Sequence, residues 1–334
     1  MWLLALAPSA VAQTFGASFD LNEQRLAELG IDSDAMRDDL TATVEQELQL
    51  TEPGRFLDAF ARAAALSTKG LGVDYASNAD KFVFGAAMGA AVSGAPMAFQ
   101  RGKSEVPDSG YAFMTALHGG VNLGVFSSNE NFLDRIRIYA SGLGFRTPEE
   151  HALRGRMLNV GFHGQVEIVE PITLTDLFEW GGVAATTGFE HAQYEIALQG
   201  TLPLGYTTSS FSATWISDGE FSIRSSVLTV PVELSSNIRF APLTAYAGAG
   251  FDFDVARADT TASLSGPVDL DVNGDTEPIG TGGLTFDGDG SSEPYTIRGF
   301  FGAQIAIFAF KIYGHFNIGP EQTYGAFTGL RVAI

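Results

Sequence analysis

From about residue 70 to its end the chain alternates apolar and polar side chains, a period of two that belongs to β-strands with two different faces. Over 227–240, Leu228, Val230, Val232, Leu234, Ile238 and Phe240 point one way, and Thr229, Glu233, Ser235, Asn237 and Arg239 the other. After Ala241 and Pro242 the pattern resumes, with Leu243, Phe251, Phe253 and Val255 against Thr244, Tyr246, Asp252 and Asp254. The same alternation runs through 81–92, 111–126, 131–145, 156–168 and 310–318.

Two architectures give a sheet one apolar and one polar face. A sandwich buries the apolar face between two sheets; a transmembrane barrel turns it to lipid and keeps its polar groups in the lumen. Length favours the barrel. The runs last 11–16 residues, whereas sandwich strands average about 5–6 and a tilted membrane strand needs about 9–11. Full charges recur on the polar face, and 39 Gly are interleaved, as curved walls require. The expected fold is therefore all-β, an antiparallel up-and-down transmembrane β-barrel of about 12 strands, range ~10–14, preceded by a short helical segment. The runs read as strands are 71–77, 80–93, 111–126, 131–146, 155–169, 182–199, 206–216, 221–240, 243–270, 285–308, 310–318 and 323–334, with a long loop at 271–284. The alternative is a secreted or periplasmic β-sandwich binding module.

The last strand, YGAFTGLRVAI, resembles the terminal strand of Gram-negative outer-membrane β-barrel proteins, including uncharacterised barrel families. Those end in a polar-x-Gly-x-x-hydrophobic-x-hydrophobic pattern read by the barrel assembly machinery. Gly329, Val332 and Ile334 match it; Phe327 stands where a polar residue is usual, and Ile334 replaces the commoner terminal Phe or Trp. The resemblance implies a bacterial outer-membrane location, with membrane lipid and the assembly machinery as partners. It implies no particular activity.

The N-terminus carries an export pattern. WLLALA at 2–7 is a short apolar run, and Ala10 and Ala12 form a small-x-small site, so the mature chain would start at Gln13. No Lys or Arg precedes Arg25, which departs from the usual basic start. Residues 1–12 thus read as a signal peptide, 13–69 as a helical segment and 70–334 as the barrel. In the helical segment Leu21, Leu26, Leu29, Met36, Leu40, Val44 and Leu48 recur at helical steps, with a break at Gly30. A further helix is expected over 54–66, where Phe56, Leu57, Phe60 and Ala64 share a face. The segment could stand in the periplasm, plug the lumen or pair with a partner helix. Residues 20–66 hold 11 acidic and 4 basic side chains; inside the lumen they would meet Arg135, Arg137, Arg239 and Arg298.

Formal charge is −20, and Cys is absent. The first removes nucleic acid as a partner, because no basic surface exists to displace counterions. The second removes thiol nucleophiles, thiolate metal sites and disulfides. The five histidines, His118, His151, His163, His191 and His315, fall in no H-E-x-x-H or G-x-S-x-G motif, so no enzyme is indicated. No cofactor is expected beyond a weak surface Ca²⁺ site. Asp269, Asp271, Asn273 and Asp275 resemble the front half of an EF-hand loop, but Gly280 occupies the place of its closing Glu. The residues expected to line the lumen are Arg135, Arg137, His163, Glu167, Glu233, Arg239, Asp252, Asp254, Arg298, Lys311, His315 and Arg331. Such a wall supports a passive small-solute channel if wet, or a structural surface protein if its charges pair across.

Overall fold

The computed structural model describes residues 14–48, 53–77, 79, 81–94, 109–127, 132–148, 152–175, 177–208 and 211–334. The export site read at Ala10–Gln13 lies outside them. In chain order the elements are β1 (Thr14–Leu21), α1 (Glu23–Glu28), α2 (Ser33–Leu48), α3 (Pro53–Leu66), β2 (Phe82–Ser93), β3 (Gly110–Asn122), β4 (Ile136–Arg146), β5 (Leu153–Val169), β6 (Ile172–Thr175), β7 (Phe178–Thr207), β8 (Ser212–Phe240), β9 (Leu243–Val272), β10 (Asp275–Ser291), β11 (Tyr295–Ile307), β12 (Phe310–Gly319) and β13 (Thr323–Ala333). Among the described residues no helix is long and apolar enough to cross a membrane.

The strands close a ring. Antiparallel ladders run β2–β3–β4–β5–β7–β8–β9–β11–β12–β13, and β13 returns to β2 with Tyr324 opposite Val92 and Ala333 opposite Val83. Ten strands form the wall, the low end of the expected range. The difference from twelve has two causes. Residues 71–77, read as a strand, form none and lie inside the ring. The runs 206–216 and 221–240 belong to one hairpin: β8 pairs with β7 from Thr207↔Ser212 down to Phe178↔Phe240. With both corrected, the connections 94–109 and 147–152 fall at the end opposite the C-terminus, while 123–135, 170–177 and the tight turns 241–242 and 308–309 fall at the C-terminal end.

Outward faces carry the apolar belt. On β8 the outward side chains from Leu228 to Phe240 are apolar except Ser236, and beyond them Ser226 and Arg224 face out. Twelve steps of about 3.3 Å, tilted by about 40°, cover roughly 30 Å, the thickness of a bilayer's hydrocarbon core. Val230, Val232 and Phe253 are exposed, at 42, 47 and 53 %, which is the disposition of a lipid-facing surface. A charged band closes the belt at the far end, where Arg224 pairs with Glu195 at 3.1 Å.

Past that band β7, β8, β9 and β10 continue as a sheet beyond the barrel, and β1 adds to the edge of β10, with Thr14 opposite Asp287 and Leu21 opposite Gly280. Residues 14–21, expected in a helical segment, are thus a strand; their alternation of Phe15, Ala17, Phe19 and Leu21 with small or polar residues suits an edge. The expected loop at 271–284 is instead a tight hairpin. Asn273 and Gly274 take φ of +57° and +93°, the positive values that a two-residue turn demands and that Asn-Gly supplies. One face of this extension forms a second core. Leu26, Met36, Leu40 and Val44 of α1 and α2 are buried with Phe19, Leu204, Trp215, Val268 and Leu270. Phe19 meets Trp215 edge-on, with ring centroids 5.4 Å apart.

The belt sets a test of register. Val232→Arg puts a guanidinium against lipid and is expected to cost about 2–4 kcal/mol of barrel stability if Val232 lies near the midplane, read by denaturant unfolding in lipid vesicles. Val232→Leu should be near neutral. Equal tolerance of both would mean that this face does not meet lipid.

Candidate functional site: the threaded lumen

A ring of ten tilted strands is about 20 Å across at the backbone, so wall side chains alone leave its centre open. The chain fills this space itself. α3 enters from the end that carries the extension, and its Leu57, Ala59, Ala61, Ala63 and Ala64 are buried on all sides. Alanines keep the helix slim. Where its neighbours come closest they have no side chain: a Cβ on Gly110 of the wall strand β3 would lie 2.1 Å from the Phe60 nitrogen, and one on Gly290 of β10, in the extension, would lie 2.6 Å from the Asp58 nitrogen. Phe327 is buried in the cluster that surrounds the helix. Its departure from the polar residue usual in the terminal strand therefore has a packing reason.

Below α3 the chain continues as an irregular strap, and residues 66–77 are all buried. An irregular backbone is tolerated at membrane depth only where protein satisfies its polar groups. Here the wall does so from many strands. Asn317 of β12 donates to the Lys69 carbonyl at 3.3 Å, Asn237 of β8 to the Tyr75 carbonyl at 3.1 Å, Arg239 to the Ser77 carbonyl at 3.2 Å and Arg137 of β4 to the Ala79 carbonyl at 3.3 Å.

Side chains of the strap form charged and polar contacts with the wall. Lys69 pairs with Glu190 of β7 at 2.9 Å, with Asp254 at 3.8 Å, and Thr68 donates to the same Glu190 at 2.6 Å. Asp74 pairs with Arg331 of β13 at 2.6 Å and also accepts the backbone N–H groups of Ala76 and Ser77. The Tyr75 hydroxyl donates to Glu233 at 2.7 Å, and its ring packs among Tyr246, Phe300 and His315. Glu233 is shared with Arg298, whose guanidinium also binds Asp252 at 2.7 Å and Asn317 at 2.8 Å.

The predicted lining residues divide by position. Arg137, His163, Glu167, Glu233, Asp252, Asp254, Arg298, His315 and Arg331 are buried in the interior. Arg239 and Lys311 stand at the C-terminal mouth, where with Arg137 and Glu167 they help line a vestibule of about 620 Å³. Arg135 is not on the wall: it sits in a 3₁₀ turn at Phe132–Arg135 and pairs with Glu170. The expected partners change as well. Arg137 pairs with Glu167 and Arg239 with Glu179, so these wall arginines are matched by wall carboxylates rather than by acids of the helical segment. The strap residues Lys69, Asp74 and Tyr75 lay hidden because a short run around them mimics strand alternation; the closely spaced Gly70 and Gly72 were the available signal. A Cβ on Gly70, which has a φ of +83°, would fall 2.6 Å from His315.

In the terminal strand Gly329 lies against the Tyr313 ring, where a Cβ would approach to 2.5 Å, while Ile334 is exposed at the C-terminal mouth. Asp271 accepts the Gly274 N–H at 3.0 Å and a hydrogen bond from Thr276. The Asp269–Asp275 stretch is therefore a hairpin turn rather than an EF-hand-like loop, and among the described residues no group of three or more His, Asp or Glu side chains is placed to hold a metal ion. Of the histidines, His163 lies 3.2 Å from Glu190 and His315 3.2 Å from the Tyr246 hydroxyl, both within the filled interior; His151 is outside the described residues.

The ion pairs predict a non-additive cycle. Asp74→Ala strands Arg331 in the interior and is expected to cost about 3–5 kcal/mol. Adding Arg331→Met should recover part of that loss. Unfolding in detergent measures both, and simple additivity would contradict the pairing. Glu233→Ala, harmless if its face were only wet, should likewise destabilise, because it removes one of the two carboxylates on Arg298 and the acceptor of the Tyr75 hydroxyl.

Among solved structures, the translocator domain of the autotransporter NalP from Neisseria meningitidis is similar over 87 % of this chain and 98 % of its own, at 10 % identity and a TM-score of 0.32. The Acinetobacter baumannii outer membrane protein Omp33 is similar over 80 % and 100 %, at 12 % identity and 0.26, and a Pseudomonas aeruginosa FadL homologue over 82 % and 97 %, at 11 % and 0.22. No curated protein matches. A family model described as Lsa36-like matches residues 20–334.

Proposed function

The chain belongs to the Lsa36-like family, and for this member we propose a structural surface role: an outer-membrane barrel, exported by a signal cleaved after Ala12, that is closed at rest and carries its extension outside the cell. The observation that carries this reading is the buried strap. Residues 66–77 fill the interior between a vestibule of about 620 Å³ at the C-terminal mouth and one of about 260 Å³ beside α3. A passive small-solute channel needs a wet path there, and the path is occupied by side chains that are paired to opposite walls.

Sidedness follows from loop lengths. Barrels of this class keep short turns in the periplasm and longer segments outside. The C-terminal end has the turns 241–242 and 308–309 and the connections 123–135 and 170–177, and the far end has the longer 94–109 and the extension. The extension, with β1, α1 and α2 on it, is then the part offered to the medium.

Planar-bilayer recording tests the reading. The intact protein should show no steady ohmic conductance. Removing residues 53–77 should give one, since the lumen loses both helix and strap. Steady conductance by the intact protein would refute the closed state and restore the channel.

A further inference from the structure

The N-terminal segment stands on the wrong side of its own barrel. β1, α1 and α2 pack on the extension, beyond one mouth. The chain then runs down the interior and leaves at the other mouth, where the Lys81 N–H binds the Ile334 carbonyl at 2.8 Å and β2 begins. Between these points it is enclosed. Lys69 is held by β7 and β12, Asp74 by β13, Tyr75 by β8, and Ser77 by Gln304 of β11. At the level of the strap the surrounding ladders are continuous, β3 with β4 from Leu117 to Asn122 included, so the wall offers no sideways route there; beside α3, residues 110–116 of β3 have no ladder with β4, and the Phe113 N–H donates to the Tyr194 hydroxyl instead.

We propose that the barrel exports its own N-terminal segment: residues 14–52 pass outward through the lumen, and α3 and the strap remain behind as the seal. The inference rests on the outer-membrane placement argued above. It is carried by a second observation, the dependence of the segment on partners that exist only at the far end. Residues 20–52 contain no aromatic residue and no proline. α1 has 6 residues and α2 has 16, and isolated helices of this length are marginal in water. Their apolar residues find a core only against Leu204, Trp215, Val268 and Leu270 of the extension, and β1 finds its ladder only on β10. The segment therefore stays unfolded until it emerges, then folds where it cannot slip back. The passage also suits it: where α3 passes β3 the lumen admits a slim helix and little more, as the close approach at Gly110 shows.

The test uses the absence of cysteine. An epitope is placed ahead of Thr14, alone or followed by a small domain whose folding depends on its disulfides, and is detected by antibody on intact cells. The epitope alone should be displayed and sets the reference. With the domain, display should fall below about a tenth of that reference, because the domain closes its disulfides in the oxidising periplasm; reductant during growth should restore it. A Glu23→Cys/Glu45→Cys chain, which forms a cystine loop without added mass, should show the same reductant dependence. Equal display with and without reductant would overturn passage through the lumen, as would an epitope reached only after permeabilisation. Neither result would touch the closed state, which bilayer recording reads separately.

Discussion

Closure of a ten-stranded ring governs everything else in this molecule. It satisfies most of the wall's backbone by strand pairing, with the upper part of β3 left to other partners such as the Tyr194 hydroxyl, and it fixes which face meets lipid. It also creates a problem that smaller barrels avoid, because the interior is too wide for the wall's own side chains to fill. The solution lies in the same chain. α3 fills one half with a helix thinned by alanines, and the strap fills the other with side chains that pair across the lumen.

That interior is polar by necessity and paired by design of position. Four buried cations, Lys69, Arg137, Arg298 and Arg331, face six buried carboxylates, Asp74, Glu167, Glu190, Glu233, Asp252 and Asp254. Two of these ten, Lys69 and Asp74, come from the strap, and they reach opposite sides of the ring. Charges buried in this way contribute little net stability relative to apolar packing, but losing one partner is costly. The network thus penalises any arrangement in which the strap is shifted or withdrawn, and so specifies one position for it.

The architecture of the wall was legible in the sequence because alternation over 13 residues leaves few alternatives, and Glu233, Asp252, Arg298 and Arg331 could be placed inside by parity alone. Parity says nothing about distance along the barrel. Arg135 continues the alternation of β4 yet belongs to the turn beneath it, and Lys311 and Arg239 stand at the mouth. The strap was misread for a related reason: Leu71, Val73 and Tyr75 alternate like a strand, while what holds them is the far wall, and pairing between distant segments leaves no local mark. The turn at Asn273–Gly274 is ambiguous in the sequence because turn formers and calcium ligands are the same residue types; the hairpin register shows the turn.

The central claim is that the strap lies inside the closed ring. A cross-link tests it directly, since a Cβ on Gly72 would stand 3.2 Å from the Ser141 Cβ, near the separation of about 3.5–4.5 Å that a disulfide spans. In a Gly72→Cys/Ser141→Cys protein cut by a protease at a site engineered into 94–109, the two fragments should stay joined in denaturant and part only on reduction. Fragments that separate without reductant would show that the strap does not run along this wall, and would contradict the account.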